Sequence, residues 1–344
     1  MRQLYLTEGQ ELAKKRHSRV VMIFLVLIII VFMISMNVGV SKLSVGEVVK
    51  TLFNQGTAHQ ELVLFDFRLP RMLISILVGM GLATAGAVMQ GVSRNALADP
   101  GILGINAGAG LAIMLYISFF PATADVPVFA LPIIAIIGAA GTALIIYMLS
   151  YKRHEGISPM RLLLTGIAVA AGISSLMLVL TLMLTPDKYQ FLATWLAGSI
   201  WGSNWKFVMA LLPWILILLP LIYVKSNVLN VLNLGDSLAT GLGTSIERER
   251  RWLLLAAVGL AASSVSVSGG IGFVGLIAPH VARQLVGAKH QILLPVAALV
   301  GALLVLIADT IGRAILQPSE VPAGIVVAVI GAPYFLYLLA RLKE

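Results

Sequence analysis

Three arginines have a spacing that could recognise an acidic surface. Arg68 and Arg71 flank Pro70 in the motif RLPR, and Arg313 follows Asp309 by four positions. Proline fixes the backbone between the first two arginines, and the planar fork of a guanidinium group suits carboxylates on a partner. The residue types indicate either docking of an acidic partner or ordinary anchoring at a lipid interface, and the pattern alone leaves both open.

No pattern for catalysis or metal binding is present in the sequence. The chain has no cysteine, and no HExxH, GxSxG or P-loop motif occurs. Ionisable residues within apolar segments would indicate an ion relay, but Asp99 and Arg94 fall at a polar turn, and Asp309 and Glu320 fall near segment ends. We therefore predict no catalytic residue, no metal ligand and no cofactor.

The stretch 224–252 predicts two short amphipathic helices outside a membrane, because it is too polar and too rich in glycine to cross one. Gly235 separates the two helices, Asp236 is placed to cap the second, and Gly241 and Gly243 end it. Exposed apolar faces in this position indicate either docking of a partner or adsorption to the lipid surface. The side chains on these faces are Val228, Leu229, Val231, Leu232, Leu234, Leu238 and Leu242.

The composition is that of a polytopic membrane protein. The chain has 344 residues, of which 59% are hydrophobic and only 11% are charged, too few charges to cover a soluble domain. Roughly ten spans of about 20 residues fill this length, so any ATPase must be a separate chain. The predicted spans are 20–36, 72–91, 102–119, 128–150, 160–184, 207–224, 252–267, 273–286, 292–311 and 325–339.

These spans predict one polytopic domain, 1–344, with a polar tail at 1–19, an external loop at 41–68, a short interfacial helix within 186–202 and a polar loop at 226–251. The net charge of +9 does not indicate nucleic-acid binding, because the basic residues are scattered at span ends. Their excess on one side predicts that both termini are cytoplasmic.

Small residues recur at helical spacing in several spans, for example at Gly166, Ala170 and Ser174. This spacing is typical of helices that pack closely in lipid. The segment GLATAGAVMQGVSRNALADP (81–100) also resembles GLAASSVSVSGGIGFVGLIAP (259–279). Because the first begins outside and the second inside, the similarity suggests an inverted repeat, a common device of transporters.

Six motifs in order make the chain resemble the FecCD-type permeases, the membrane subunits of bacterial ABC importers for ferric siderophores, haem and cobalamin. The motifs run from the second span to the C-terminus. They are RLPR at 68, NALADPGILGINAGA at 95, LGDSLATGLG at 234, GGIGFVGLIAPHVAR at 269, ADTIGR at 308 and EVPAGIVVAVIGAPYFLYLL at 320.

The resemblance implies an all-α integral membrane protein of the type II ABC importer permease fold, with ten spans, in the bacterial cytoplasmic membrane. It implies a second permease subunit, identical or related, two cytoplasmic ATP-binding subunits and an extracytoplasmic substrate-binding protein. The implied cargo is a ferric siderophore, with haem and cobalamin as alternatives. A secondary transporter and a membrane-embedded enzyme are rival classes, but both would need intramembrane groups that the spans lack.

The resemblance also assigns residues. It implies that the ATPase docks on the two short helices, with Gly235, Asp236, Ala239, Leu242 and Gly243 at the motif positions. It implies that the binding protein docks at Arg68, Arg71 and Arg313. The translocation pathway is expected along the fifth span, at Gly166, Ala170, Ser174 and Ser175.

Overall fold

The computed structural model describes residues 2–39, 43–53, 55–120, 130–153 and 156–341. A π-helical segment, Leu62–Arg68, precedes the α-helix that begins at Leu69, and a 3-10 turn, Pro100–Leu103, precedes the one that begins at Ile105. A small hairpin, Tyr151–Lys152 with Gly156–Ile157, joins the α-helix that ends at Ser150 to the one that begins at Pro159. The helices are α1 Arg2–Asn37, α2 Val45–Leu52, α3 Ala58–Glu61, α4 Leu69–Ser93, α5 Ile105–Phe119, α6 Ala130–Ser150, α7 Pro159–Thr181, α8 Pro186–Leu196, α9 Trp205–Val224, α10 Ser226–Asn233, α11 Asp236–Gly241, α12 Ile246–Ser268, α13 Val274–Val286, α14 His290–Ile315 and α15 Ala323–Arg341.

The long helices follow the order of the predicted spans, and the prediction of an all-α membrane fold is confirmed. Among the described residues, seven helical stretches are long and apolar enough to cross a bilayer, and the helices from Ile105 and from Ala323 are apolar but shorter. The helix α13 has 13 residues and rises only about 20 Å, less than the roughly 30 Å of a hydrocarbon core. It crosses only part of the bilayer.

The helix α4 is the centre of the bundle and packs against α9, α12, α13 and α14. Its small residues allow backbones to touch: a Cβ on Gly79 would lie 2.2 Å from the carbonyl oxygen of Gly301, and one on Gly86 would lie 2.0 Å from that of Gly275. Only glycine fits at such crossings. The small-residue spacing of this span therefore encodes close helix packing, which stabilises bundles in lipid.

Two helices begin inside the bundle, each after a segment without α-helix that turns back from one end. Residues 94–104 return from the end of α4 to the start of α5, and residues 269–273 return from the end of α12 to the start of α13. The first segment reaches the start of α13, where Asp99 and Pro100 face Gly275. Irregular backbone at this depth requires burial within protein, and the inverted repeat stays a prediction.

The expectation of a loop at 41–68 is wrong for most of its described residues, which form α2, α3 and the π-helical segment. Ser44 with Glu47 and Thr57 with Gln60 form two capping boxes, in which each side chain bonds the backbone of the other residue. The tail is also helical from Arg2, as part of α1. The fifth span ends at Thr181 rather than 184, and positions 128 and 129 of the fourth lie outside the described residues.

Candidate functional site

The bundle has two ends, which we call the inner end, where α10 and α11 lie, and the outer end, where α2 and α8 lie. At the outer end the three predicted arginines come together with two carboxylates. Arg71 donates from Nε to Asp309 Oδ1 at 2.9 Å and from Nη1 to Glu320 Oε2 at 2.7 Å. Arg313 donates from Nε to the other oxygen of Asp309 at 3.1 Å. We call Arg71, Asp309, Arg313 and Glu320 the outer ion cluster.

Arg68 and Arg313 also close the last turn of α1. Arg68 donates to the carbonyl oxygen of Met36, and Arg313 donates to that of Val38 at 2.7 Å and to that of Ser35 at 3.3 Å. The last carbonyls of a helix have no hydrogen-bond donor within the helix, and the two guanidinium groups provide these donors. Both arginines are consequently buried, whereas Arg71 keeps 13% of its side chain exposed. Docking of an external protein at these residues stays a prediction.

At the inner end, Asp236 ties the second short helix to the bundle. Its carboxylate lies 3.1 Å from Arg94, which follows α4, and 3.1 Å from Arg250 in α12. The expectation that Asp236 caps α11 is wrong: Gly235 is the N-cap residue, and no side-chain cap bond forms. The carboxylate instead pairs with the two cations, one of which, Arg94, has a left-handed backbone conformation.

The two short helices leave three large leucines in solvent. Leu234, Leu238 and Leu242 are 56–65% exposed. Ala239, by contrast, is fully buried against the chain, so among the predicted contact positions it packs inward while Leu242 faces outward. Gly235 and Gly243 have positive φ values of 103° and 79°, which glycine adopts without strain. The result is an apolar surface that no other described part of the chain covers.

A row of amides fixes α10 to the first turn of α14. Asn230 Oδ1 lies 3.0 Å from the backbone nitrogen of His290 and 2.8 Å from its Nδ1, and because this oxygen only accepts, Nδ1 must carry the proton. Asn230 Nδ2 donates to Gln291 Oε1 at 2.8 Å, and Gln291 donates in turn to Asn227 Oδ1. Sequence reasoning missed this row, although it lies on the polar side of a predicted amphipathic helix.

The expected pathway face on α7 is only partly exposed. Gly166 is buried and Ala170 is half-buried, whereas Ser174 and Ser175 are exposed. In the middle of α7, nevertheless, the exposed side chains are all small, whereas large exposed side chains lie nearer its two ends. The small exposed residues are Ala168, Ala171, Gly172, Ser174 and Ser175. We call these five residues the small belt of α7.

Asp99 is a polar group that the sequence placed wrongly. It was expected at an inner turn. Its carboxylate instead borders a small crevice, which is also lined by Leu82 from the middle of α4 and Ala261 from the middle of α12. One oxygen, Oδ1, accepts a bond from the Gly101 nitrogen at 2.7 Å and holds the 3-10 turn. Within the part of the chain that the structure describes, no cluster of three or more His, Cys, Asp or Glu side chains could hold a metal ion.

Comparisons with known proteins agree over nearly the whole length. Residues 27–341 match the model of the FecCD transport family. The chain is 53% identical to the iron(3+)-hydroxamate import system permease protein FhuG of Bacillus subtilis (strain 168), over 92% of this chain and 94% of that protein. It is 46% identical to the Fe(3+)-citrate import system permease protein YfmE of the same organism, over 95% and 96%.

A solved structure has the same fold. It is an inward-facing conformation of a metal-chelate type ABC transporter, which superposes with a TM-score of 0.83 at 33% identity and covers 94% of this chain and 99% of its own.

Proposed function

The chain belongs to the FecCD transport family, and from this premise we propose that it is the permease subunit of an ATP-driven importer that carries ferric siderophores across the bacterial cytoplasmic membrane. Relatives named for ferric hydroxamate and ferric citrate import support an iron chelate as cargo. The 53% identity to a hydroxamate permease makes a ferric hydroxamate the first candidate to test.

One observation carries the proposal beyond family membership, namely the uncovered apolar surface of Leu234, Leu238 and Leu242 at the inner end. Adsorption to lipid would need a helix free to lie flat, yet α11 is held by Asp236 between Arg94 and Arg250. A fixed apolar surface suits a protein partner. We assign it to the ATP-binding subunits, two of which would serve a pair of permease subunits.

Docking of the binding protein is proposed at the outer end, around Arg71, where the ion cluster reaches the surface. Arg71 and Glu320 are its more exposed members, at 13% and 22%. An acidic residue on the partner would compete with Glu320 for Arg71, so that docking loosens one ion pair while Asp309 keeps the others. Arg68 and Arg313 would then support the surface by holding α1 rather than by touching the partner.

The deciding experiment is transport in proteoliposomes. The permease with its ATPase and a loaded binding protein is expected to accumulate radio-iron-labelled ferric hydroxamate, to need ATP, and to keep its rate when a protonophore removes the proton gradient. Uphill accumulation by the permease alone would contradict the proposal and favour a secondary transporter. Uptake of haem or cobalamin in place of the iron chelate would correct the cargo only.

Variants of Arg71 separate docking from internal support. Replacing Arg71 with glutamine should weaken the measured affinity for the binding protein, whereas Glu320→Gln should leave it unchanged or strengthen it, because Arg71 is then released towards the partner. Equal weakening by both variants would mean that the ion pair only maintains the local fold.

A further inference from the structure

A lateral groove between α6 and α12 is not used by the proposed transport cycle. It is a cavity of about 370 Å³ whose walls are mostly apolar. Leu144 and Leu255 form its rim and are 55% and 63% exposed, so the groove opens away from the bundle. It exists because Ala140 and Ala143, on the facing side of α6, are too small to fill the space.

The groove extends from the inner membrane interface towards the middle of the bilayer. Its inner limit is formed by Tyr147 and Arg251, and Val258 lies two helical turns deeper, a distance of roughly 10 Å at the rise of an α-helix. Tyr147 stacks with Tyr151 at 6.2 Å, and Trp252 is 53% exposed. Tyrosine and tryptophan favour the level of the lipid headgroups, so Arg251 lies at that level.

The charges at this mouth favour an anion. Arg251 is exposed and bonds through Nε to the carbonyl oxygen of Glu247 at 3.2 Å, which holds the guanidinium at the groove. The carboxylate of Glu247 also lies near Tyr147, and Arg250, 3.9 Å from it, offsets its charge. Lys152, in the hairpin after α6, adds a further exposed positive charge at the same end of the bundle.

We propose that this groove binds one anionic phospholipid of the phosphatidylglycerol type, with its phosphate at Arg251 and an acyl chain between α6 and α12. Basic pockets between membrane helices on the cytoplasmic side bind anionic headgroups, and the apolar depth below Arg251 suits a hydrocarbon chain but not a soluble anion. The lipid would fill a gap beside α12, the helix that follows the two short helices and carries Arg250.

The proposal is tested by native mass spectrometry of the purified full chain titrated with phosphatidylglycerol. Arg251→Gln should weaken the bound-lipid population about fivefold, the contribution expected from one basic residue near a lipid phosphate. Arg248→Gln is the matched control, since Arg248 is an exposed arginine one turn away that does not line the groove, and it should change binding less than Arg251→Gln does. Ala140→Trp, which fills the groove without changing charge, should remove the bound lipid.

Four results would overturn the proposal. Equal effects of the two arginine variants would mean that the lipid responds only to overall charge. Equal binding of phosphatidylcholine, or displacement by inorganic phosphate, would mean that the groove does not recognise an anionic lipid. A change in oligomeric mass on Ala140→Trp, with lipid binding intact, would mean that the groove contacts a second subunit instead.

Discussion

Asp309 holds two cations at a position that is almost inaccessible to water. It is 1% exposed, and its two oxygens are divided between Arg71 and Arg313. Through Arg313 the carboxylate also fixes the end of α1, because the same guanidinium bonds the carbonyl oxygens of Ser35 and Val38. One acidic side chain thereby joins α1, α4 and α14 at the outer end.

Replacing Asp309 with asparagine should therefore destabilise the protein strongly. Loss of one partner from a buried ion pair costs about 3–5 kcal/mol because the remaining charge is left uncompensated. Thermal unfolding in detergent would measure the change. Glu320→Gln is the control, since Glu320 pairs with Arg71 but is 22% exposed, and its effect should be under about 1 kcal/mol. Similar losses in the two variants would contradict the central position of Asp309.

The sequence indicated at which end of the bundle the charged residues lie more readily than it indicated which residues they bond. The three arginines were expected to share the outer end, and they do, but the pattern gave no sign that two of them close α1 from more than 30 positions away. Asp236 was expected to cap its own helix and instead bonds Arg94 and Arg250. Long-range ion pairs leave no local signal, whereas helix capping has one, so the local interpretation was preferred.

Among the elements, α4 and α14 approach each other closely where both helices carry glycine. The missing side chains of Gly79 and Gly301 let each backbone carbonyl contact the other helix. Gly79→Ala would place a methyl group 2.2 Å from the Gly301 oxygen, so the helices must separate. Overpacking of this kind typically costs about 1–3 kcal/mol, and we expect a lower melting temperature and reduced yield.

Gly141→Ala is the matched control for this contact. A Cβ at Gly141 in α6 meets nothing within 4 Å, and alanine is the better helix former. The melting temperature of this variant should therefore stay the same or rise. A comparable fall in both variants would mean that glycine matters in these helices for a reason other than packing.

The amide row between α10 and α14 provides a direct path from the inner loop to the bundle. Asn230→Leu removes an acceptor from His290 and a donor from Gln291, which should loosen α10 by about 1–3 kcal/mol. We expect the ATPase still to assemble, because the exposed leucines remain, but its activity should no longer respond to the loaded binding protein.

Asn233→Leu provides the comparison for Asn230→Leu. Asn233 lies in the same helix and is exposed at its end. This variant therefore makes the same asparagine-to-leucine change without removing a bond to His290. Its ATPase should respond normally to the loaded binding protein. Loss of the response in both variants, or in neither, would argue against the amide row as the path of coupling.

At the scale of the molecule, apolar length predicted the order of the long helices, because it is a local property. It did not predict how many of them are long enough to cross a bilayer: seven described stretches are, against ten predicted spans. The depth of a polar residue within the bundle was not predictable in the same way. Asp99 was expected at a polar turn at the inner end, but the chain turns back into the bundle there, and Asp99 lines a crevice with Leu82 and Gly275. A short polar segment looks the same in sequence whether it leaves the bilayer or re-enters it.

The small belt of α7 indicates where a bulky cargo could pass once two permease subunits pair. It leaves an open strip at the middle of the helix, free of large side chains and of charges. Ala171→Trp should narrow this strip without disturbing the bundle, because Ala171 is exposed. We expect uptake to fall by roughly an order of magnitude, which requires only about 1.4 kcal/mol of added barrier, while assembly and basal ATPase activity persist.

Ile137→Trp is the comparison for this test, since Ile137 is 65% exposed in the middle of α6 and contributes to a different face. It should transport normally, because a tryptophan facing lipid obstructs nothing. If Ala171→Trp transports as well as Ile137→Trp, the belt faces lipid and the cargo passes along another helix. If Ala171→Trp prevents the two permease subunits from associating, the small side chains serve close packing between subunits, which the same spacing also favours.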